Sequence, residues 1–374
     1  MARAVARIDL GAVERNCARL KSAVGDRVEL CAVVKADGYG HGADSCAAAA
    51  LAGGATRLAV ATGAEAAEIG RRFPHVSLLT MGALTEEDLD RALAAGSEVA
   101  VWHEEFLRVA ADRARAHGRP ARAHVKLDSG MGRLGNRDPG AVIAISRACA
   151  EDPDLELAGV WTHFATADEL DSEFFGEQLR RFAEVAEAVK GEHPEAIAHA
   201  ANSAAVLRDE AAHFDMVRCG VALYGLDPFQ RDPAAQGLAP ALSLRSYVAD
   251  VKRFGPGDSA GYGRTWRASS ETMVGILPLG YGDGVRRGLS NNGEVLVRGR
   301  RHPVVGTLSM DNLTIELGPE TDVEPGDEAV LIGAQREDTI LAEELAARLG
   351  TINYEVTCGI SARVPREAVG KERR

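Results

Sequence analysis

From residue 29 to residue 219, short apolar runs alternate with alanine-rich, charged segments of helical length. The runs lie at residues 29–35 (ELCAVVK), 57–61, 76–80, 97–101, 122–127, 156–162, 196–200 and 214–219. Ahead of them, residues 4–9 read as a short strand and 11–24 as a helix. Among the intervening segments, Thr85 precedes acidic residues suited to a helix's first turn, and Asp138-Pro139 sets an N-cap side chain before proline at the first helical position. Runs that are apolar throughout have both strand faces covered, and their alternation with helices signals a parallel β/α architecture. Eight such strands suit a closed (β/α)8 barrel; an open doubly wound sheet carries a similar signature. The barrel is the expectation.

The texture changes after Gly225. Residues 227–240 contain Pro228, Pro233 and Pro240 and read as a linker. Beyond them come longer alternating or apolar runs at 242–254, 272–278 and 294–297, punctuated by turns such as Gly255-Pro256-Gly257-Asp258 and Pro325-Gly326-Asp327. One helix over 339–348 interrupts them. The expected fold is α/β: an N-terminal (β/α)8 TIM-like barrel over residues 1–230, with residues 1–9 available to pair with the other domain, then a mostly antiparallel β domain over 231–374.

Composition narrows the function. The 374 residues are 46% hydrophobic and 26% charged, enough for two domains with their own cores. A net charge of −12 disfavours nonspecific binding to nucleic acid or to an anionic membrane. No apolar run approaches the ~18 residues of a membrane span, and MARAVARIDL lacks the apolar core of a secretory signal, so a cytoplasmic protein is expected. The cysteines (Cys17, Cys31, Cys46, Cys149, Cys219 and Cys358) form no C-x-x-C pair, and the histidines form no H-E-x-x-H. No metal site is expected, and the thiols read as buried and reduced.

In a (β/α)8 barrel, catalytic groups sit at the C-terminal ends of the strands. Lys35, Lys126 with Asp128, His163, Asn202-Ser203 and Arg218 all fall there. Singly, each has an ordinary reading: a snorkelling lysine, a hydrogen-bonded histidine, a rim ion pair. Their coincidence on one face favours an active site. An apolar strand disfavours the Lys35 ammonium, so its pKa should fall and the amine become available for Schiff-base chemistry. The following Ala36-Asp37-Gly38-Tyr39-Gly40-His41-Gly42 lets backbone approach a ligand. Loops after the last two barrel strands, where phosphate often binds, carry Asn202-Ser203 and Gly220-Val221. A Schiff-base lysine beside a phosphate site implies pyridoxal 5'-phosphate (PLP) or an aldolase-type sugar phosphate; the pattern alone does not separate them.

Ordered segments along the chain carry a specific resemblance. They are AVVKADGYGHG (32–42), HVKLDSGMGRLG (124–135), THFA (162–165), HAANSA (199–204), VRCGVALYG (217–225), GYGRTW (261–266), PLGYGDG (278–284), SMDN (309–312) and NYEVTCGISARVPR (353–366). From Arg7 to Arg366 the chain resembles the alanine racemase family, PLP enzymes of fold type III. The resemblance implies that Lys35 holds PLP and serves as one base, with Tyr262 as the opposite base, delivered from a second subunit of a homodimer with shared sites. It places Tyr39, Ser203, Gly220, Val221 and Tyr354 on the phosphate, with Asn202 beside them in the cofactor site. It sets Arg218 on the pyridine nitrogen and His163 by the ring. Arg133, the Met310 backbone and Asp311 fall on the substrate side, and Lys126 is a lysine that the family often carbamylates, orienting Arg133. The implied role is interconversion of L- and D-alanine, supplying D-alanine for peptidoglycan.

Three positions depart from the commonest family pattern: Gly38 and Gly282, where alanine is frequent, and Thr307, where arginine is usual. Within the class, a broad-specificity racemase is the main rival. A fold type III decarboxylase would carry a C-E-S-x-D-like stretch, which this chain lacks, and a barrel-only PLP-holding protein would lack everything after the linker.

Overall fold

A computed structural model describes residues 3–370; the outermost residues of the two expected domains, 1–2 and 371–374, lie outside the described residues. Strand β1 (Val5–Asp9) leads into a helix over Leu10–Val24. Eight parallel strands then follow: β2 (Glu29–Val33), β3 (Arg57–Val60), β4 (Ser77–Thr80), β5 (Glu98–Val101), β6 (Ala121–Lys126), β7 (Leu155–Trp161), β8 (Ile197–His199) and β9 (Met216–Cys219). They pair in chain order and close through β9 on β2, with Glu29 opposite Met216 and Ala32 opposite Cys219. Closure decides for the barrel over the open sheet. The strands are buried on both faces as their composition requires: Leu30 to Ala32 and Val99 to Val101 are inaccessible to solvent.

The connecting helices start and stop on local signals. Thr62 and Glu65 form a reciprocal capping box at the helix Gly63–Arg72, and Asp138 accepts from Gly140 N at 2.8 Å ahead of the helix Pro139–Glu151. Gly118, left-handed at φ 69°, ends the helix Glu104–His117.

The rest of the chain is mostly antiparallel sheet: β10 (Leu242–Tyr247), β11 (Asp250–Phe254), β12 (Ser259–Ala260), β13 (Trp266–Arg267), β14 (Thr272–Leu277), β15 (Glu294–Val297), β16 (Arg300–Pro303), β17 (Leu313–Gly318), β18 (Glu328–Gln335), β19 (Asp338–Ile340) and β20 (Arg366–Val369). The largest sheet has the order β16-β15-β18-β10-β1-β20, with β19 on β18; a second is β11-β14-β17. β1 pairs antiparallel with β10 and parallel with β20. The chain divides into two units: one of Glu14–Gly38 with Ala43–Leu223, the other of the chain up to Val13, Tyr39–Gly42 and the chain from Tyr224 onward.

Three expectations are corrected in this second unit. The run 242–254 is two strands in different sheets, because Val248 N turns to Asp327 O (2.9 Å) and Ala249 N to Ile276 O (2.7 Å). The helix expected over 339–348 spans Ala342–Leu349, since Ile340 is drawn into β19 and fully buried. The start of the 227–240 linker is fixed: Asp227 is fully buried, its N–H bonds Glu343 Oε1 (2.9 Å), and Asn353 Nδ2 bonds Asp227 O (2.8 Å). Among the cysteines, Cys358 is exposed and the other five are buried; burial pushes the thiols of Cys17, Cys31, Cys46 and Cys149 up to about 12.

Candidate active site

β2 ends at Val33, and the barrel pairing continues for one bond, Val34 N to Ala59 O at 2.8 Å. Lys35 therefore stands just past the strand, half-buried, where the chain enters a left-handed turn: φ is 53° at Ala36, 52° at Asp37, 61° at Gly38 and 53° at Tyr39. Such a run costs roughly 1–2 kcal/mol per non-glycine residue, and the surroundings hold it. Ala36 N bonds Glu65 Oε1 (2.7 Å), and Asp37 Oδ1 accepts from Ala43 N (2.9 Å). Gly38, where alanine is frequent, takes its φ of 61° without the Cβ strain that its neighbours carry.

Four cations gather around this end of the barrel. Lys126, only 3% exposed, sets Nζ 4.0 Å above the Trp161 ring. Burial, then Arg218, Arg133 and Lys35, bring its amine down to about 7 against the pull of Asp128. Arg218 is buried, and among the described residues it has no carboxylate partner. Its Nη2 donates to Thr162 O (2.8 Å) and Ala200 O (3.0 Å), its Nη1 lies 2.7 Å from His199 Nδ1, and its guanidinium lies over Trp161. Burial lowers its pKa to about 10, which leaves it protonated near neutrality. His163 Nδ1 lies 3.3 Å from Arg218 Nη2. Burial, with Arg218, Arg133, Lys126 and Lys35 around it, holds His163 well below the ordinary imidazole range, so it is neutral.

Asp128 shapes the loop that presents Arg133. Its carboxylate accepts from Gly130 N (3.1 Å), Gly132 N (2.9 Å) and Arg137 Nε (3.1 Å). Burial pushes that carboxyl up, but these donors hold it below the usual carboxylate range. The loop returns to β6 through Asn136 N to Lys126 O (3.0 Å), and Arg133 is exposed with no hydrogen bond to the described residues.

The loops after β8 and β9 are joined by Ser203. Its Oγ accepts from Gly220 N (3.0 Å) and Ala222 N (3.4 Å), which leaves the hydroxyl proton to donate outward. Asn202 caps the short helix Ser203–Arg208 through Ala205 N (3.0 Å), and Val221 is buried in the turn after Gly220. These residues suit a pyridoxal phosphate: a buried guanidinium lacking an anion, an outward hydroxyl donor and a lysine at the strand end.

The second unit holds the remaining candidates. Tyr39 packs on Tyr224 (5.2 Å between ring centroids) and on Tyr354 (6.0 Å). Gly40 cannot carry a Cβ here, which would lie 2.3 Å from Thr357 O. Tyr262 occupies a one-turn 3-10 segment and is 74% exposed. Its turn is fixed by the bridge Gly261–Thr307 and by the Thr265–Thr307 hydroxyl pair at 3.1 Å, the local use of the unusual threonine. Met310 is 52% exposed, and Asp311 is tied to Arg363 Nη2 at 2.7 Å. Gly282 leaves room for that arginine, since a Cβ there would lie 2.3 Å from Arg363 Nη1.

Trp161, which no local sequence pattern sets apart, carries Lys126 and Arg218 over its ring and stacks on His199 at 5.5 Å. His199 was visible only as the first letter of HAANSA; a histidine closing a buried barrel strand was the signal. Among the described residues, no group of three or more His, Cys, Asp or Glu side chains is arranged to hold a metal ion, and no helix is long and apolar enough to cross a membrane.

Comparison with known proteins is consistent along the whole chain. The family described as alanine racemase, N-terminal domain, matches residues 8–228, and alanine racemase, C-terminal domain, matches 241–368. The alanine racemase of Symbiobacterium thermophilum is 42% identical over 96% of both chains, and that of Geobacillus stearothermophilus is 40% identical over 96% of this chain and 92% of its own. Alanine racemase from the D-cycloserine producer Streptomyces lavendulae superposes with a TM-score of 0.94 at 36% identity, covering 100% of this chain and 98% of its own. The Bacillus anthracis enzyme, solved with bound L-Ala-P, gives 0.91 at 37% identity, covering 99% and 96%. A (β/α)8 barrel followed by a mostly antiparallel domain, matched from end to end at this identity, makes the chain a member of the alanine racemase family and an amino-acid racemase.

Proposed function

We propose that the chain interconverts L- and D-alanine by a two-base mechanism with pyridoxal 5'-phosphate held on Lys35, and so supplies D-alanine for peptidoglycan. The observation that carries this reading is Arg218, a buried guanidinium set among neutral acceptors with no carboxylate partner among the described residues. The cofactor, when bound, supplies the electron sink that makes the α-proton of an amino acid acidic. Arg218 stays protonated, so it would hydrogen-bond the pyridine nitrogen without surrendering a proton; that would keep the sink moderate and favour return of the α-proton over side reactions. Ser203, with Gly220, Val221, Tyr39 and Tyr354, would hold the phosphate, Asn202 shapes that loop, and neutral His163 would lie by the ring. Arg133 and the Met310 backbone would take the substrate carboxylate. Asp311, tied to Arg363, would serve that side by holding the Met310 turn.

Racemisation takes the proton from one face and returns one to the other, which requires two bases. Lys35 serves one face and Tyr262 the other, from a second copy of the chain. The exposure of Tyr262, Tyr281 and Met310 supports this sharing. The segments that carry them are linked in the second unit, by the Gly261–Thr307 bridge and by Tyr281 N to Ser309 O (3.1 Å). Covering them would bury an apolar patch and exclude water from the phenol.

Two expected results arise directly. Neutral amine attacks carbon dioxide and ammonium does not, so Lys126, titrating at about 7, should form a carbamate that fades as pH falls through that value. A carbamate signal in carbon-13 spectra under labelled bicarbonate, lost in Lys126→Ala, is the expected outcome; the same signal in Lys126→Ala would remove the assignment. Asp128→Asn removes the charge that accepts the hydrogen bonds shaping the Arg133 loop, bonds worth about 1.5–3 kcal/mol each when the acceptor is charged. KM for alanine should rise about tenfold or more with kcat less affected. An unchanged KM would show that the loop does not position the substrate.

The reading as a whole is tested by incubating the purified protein and PLP with individual L-amino acids, followed by chiral analysis. Alanine should be converted fastest, serine detectably, since a methyl-sized difference is worth only ~1–3 kcal/mol. Comparable turnover of lysine or arginine would make the enzyme a broad-specificity racemase instead.

A further inference from the structure

The barrel interior contains a polar chain that the site above leaves unexplained. Glu98, at the start of β5, and His124, in β6, are both buried. Glu98 Oε2 lies 2.8 Å from His124 Nε2, His124 Nδ1 lies 2.9 Å from His199 Nε2, and His199 Nδ1 lies 2.7 Å from Arg218 Nη1. On its far side Glu98 is gripped by Arg57 Nη1, at 3.0 and 2.9 Å from its two oxygens, and by Arg122. TIM-barrel interiors are ordinarily filled by branched apolar side chains, and a buried polar chain is tolerated only where every member is satisfied.

The two ends fix every proton between them. A guanidinium has donors only, so His199 Nδ1 must accept and the neutral ring carries its proton on Nε2. That N–H donates to His124 Nδ1, which leaves the His124 proton on Nε2, facing an ionised carboxylate that only accepts. A second proton on His124 would point its Nδ1–H at the His199 N–H and break the chain. Gly159 supports this geometry: a Cβ there would stand 2.6 Å from His124 Nδ1, the atom that must stay open to accept. Burial favours the neutral acid at Glu98, but the His124 hydrogen bond and the charges of Arg57 and Arg122 hold it below the usual carboxylate range.

We propose that Glu98 is a positioning residue for the reaction: through His124 and His199 it locks the Arg218 guanidinium as a fixed donor at the barrel mouth. The inference rests on the assignment of Arg218 to the pyridine nitrogen. A merely structural role would require only the Arg57–Glu98–Arg122 cluster, which ties β3, β5 and β6 whatever the state of the two histidines.

Nitrogen-15 spectra of histidine-labelled protein test the chain without relying on turnover. A coupling through the N–H···N bond identifies the paired rings. Both should be neutral, protonated on Nε2 and bare on Nδ1, and the His199 resonances should move when PLP is added. A cationic ring, a His199 proton on Nδ1, or no change at His199 on cofactor binding would overturn the proposal. Glu98→Gln keeps the acceptor and the shape but removes the charge. It should shift the absorption maximum of the bound cofactor and lower kcat about tenfold, in the range for lost outer-shell partners, with KM within about twofold. A folded Glu98→Gln protein with wild-type kcat and absorption would likewise overturn it. If that variant does not fold, the wild-type ring states and their response to PLP still decide. An inactive wild type would instead sink the racemase reading, while the ring states would judge the chain separately.

Discussion

Replacing Lys35 by alanine should abolish the visible absorbance that the wild-type protein develops with PLP and lower alanine turnover by roughly four orders of magnitude or more, the scale seen when a covalent nucleophile is removed. The expectation follows from position. Lys35 stands at the mouth of the barrel, where the turn after β2 is held in a left-handed conformation by Glu65 and Asp37. That strain is concentrated where one side chain must be aimed. A Lys35→Ala protein that kept both the absorbance band and full turnover would reject the covalent assignment. Folding is a separate readout: Lys35 is half-buried beyond the strand end, so circular dichroism and the thermal midpoint should change little.

Tyr262→Phe should separate the two directions of the reaction. Removing one of two bases leaves the other able to exchange the proton on its own face, so α-deuterium exchange from one alanine enantiomer should fall by about 10²–10⁴ while exchange from the other persists. Equal and small losses for both enantiomers would remove Tyr262 as a base. The phenol's exposure in a single chain makes a second prediction from the same variant. If the site is completed by a partner copy, inactive Lys35→Ala chains mixed with inactive Tyr262→Phe chains should regain activity, because some hybrid sites receive both bases. Proven hybrid dimers without recovery would contradict sharing.

Much of the barrel was legible because its strands are buried on both faces, so that segments such as ELCAVVK stand out as unbroken apolar runs. Closure was not legible: an open sheet uses the same strands, and what distinguishes the barrel is the pairing of Glu29 with Met216, far apart in sequence. In the second domain the alternating pattern continued across Val248-Ala249, where only long-range hydrogen bonds to Asp327 and Ile276 reveal the break. Proline content marked 227–240 as a linker, but the burial of Asp227 depends on Glu343 and Asn353, which no local pattern connects to it.

Site residues divide in the same way. Lys126, His163 and Arg218 could be read as polar residues at strand ends, and the structure gathers their charges with those of Lys35 and Arg133 around His163. Glu98 and His124 could not. They lie inside runs that read as ordinary strand, and their meaning depends on four barrel strands meeting in one core. The departures at Gly282 and Thr307 are likewise explained only in three dimensions, by the space Arg363 occupies and by the bridge that fixes the Tyr262 turn.

The central claim is tested most directly by incubating the purified protein with PLP and enantiopure L-alanine in heavy water, following chirality and α-deuteration together. The predicted result is progress to an equal mixture of the two enantiomers, with the α-position of both converted to deuterium. L-Alanine recovered unchanged in chirality and still protonated at its α-carbon would contradict it.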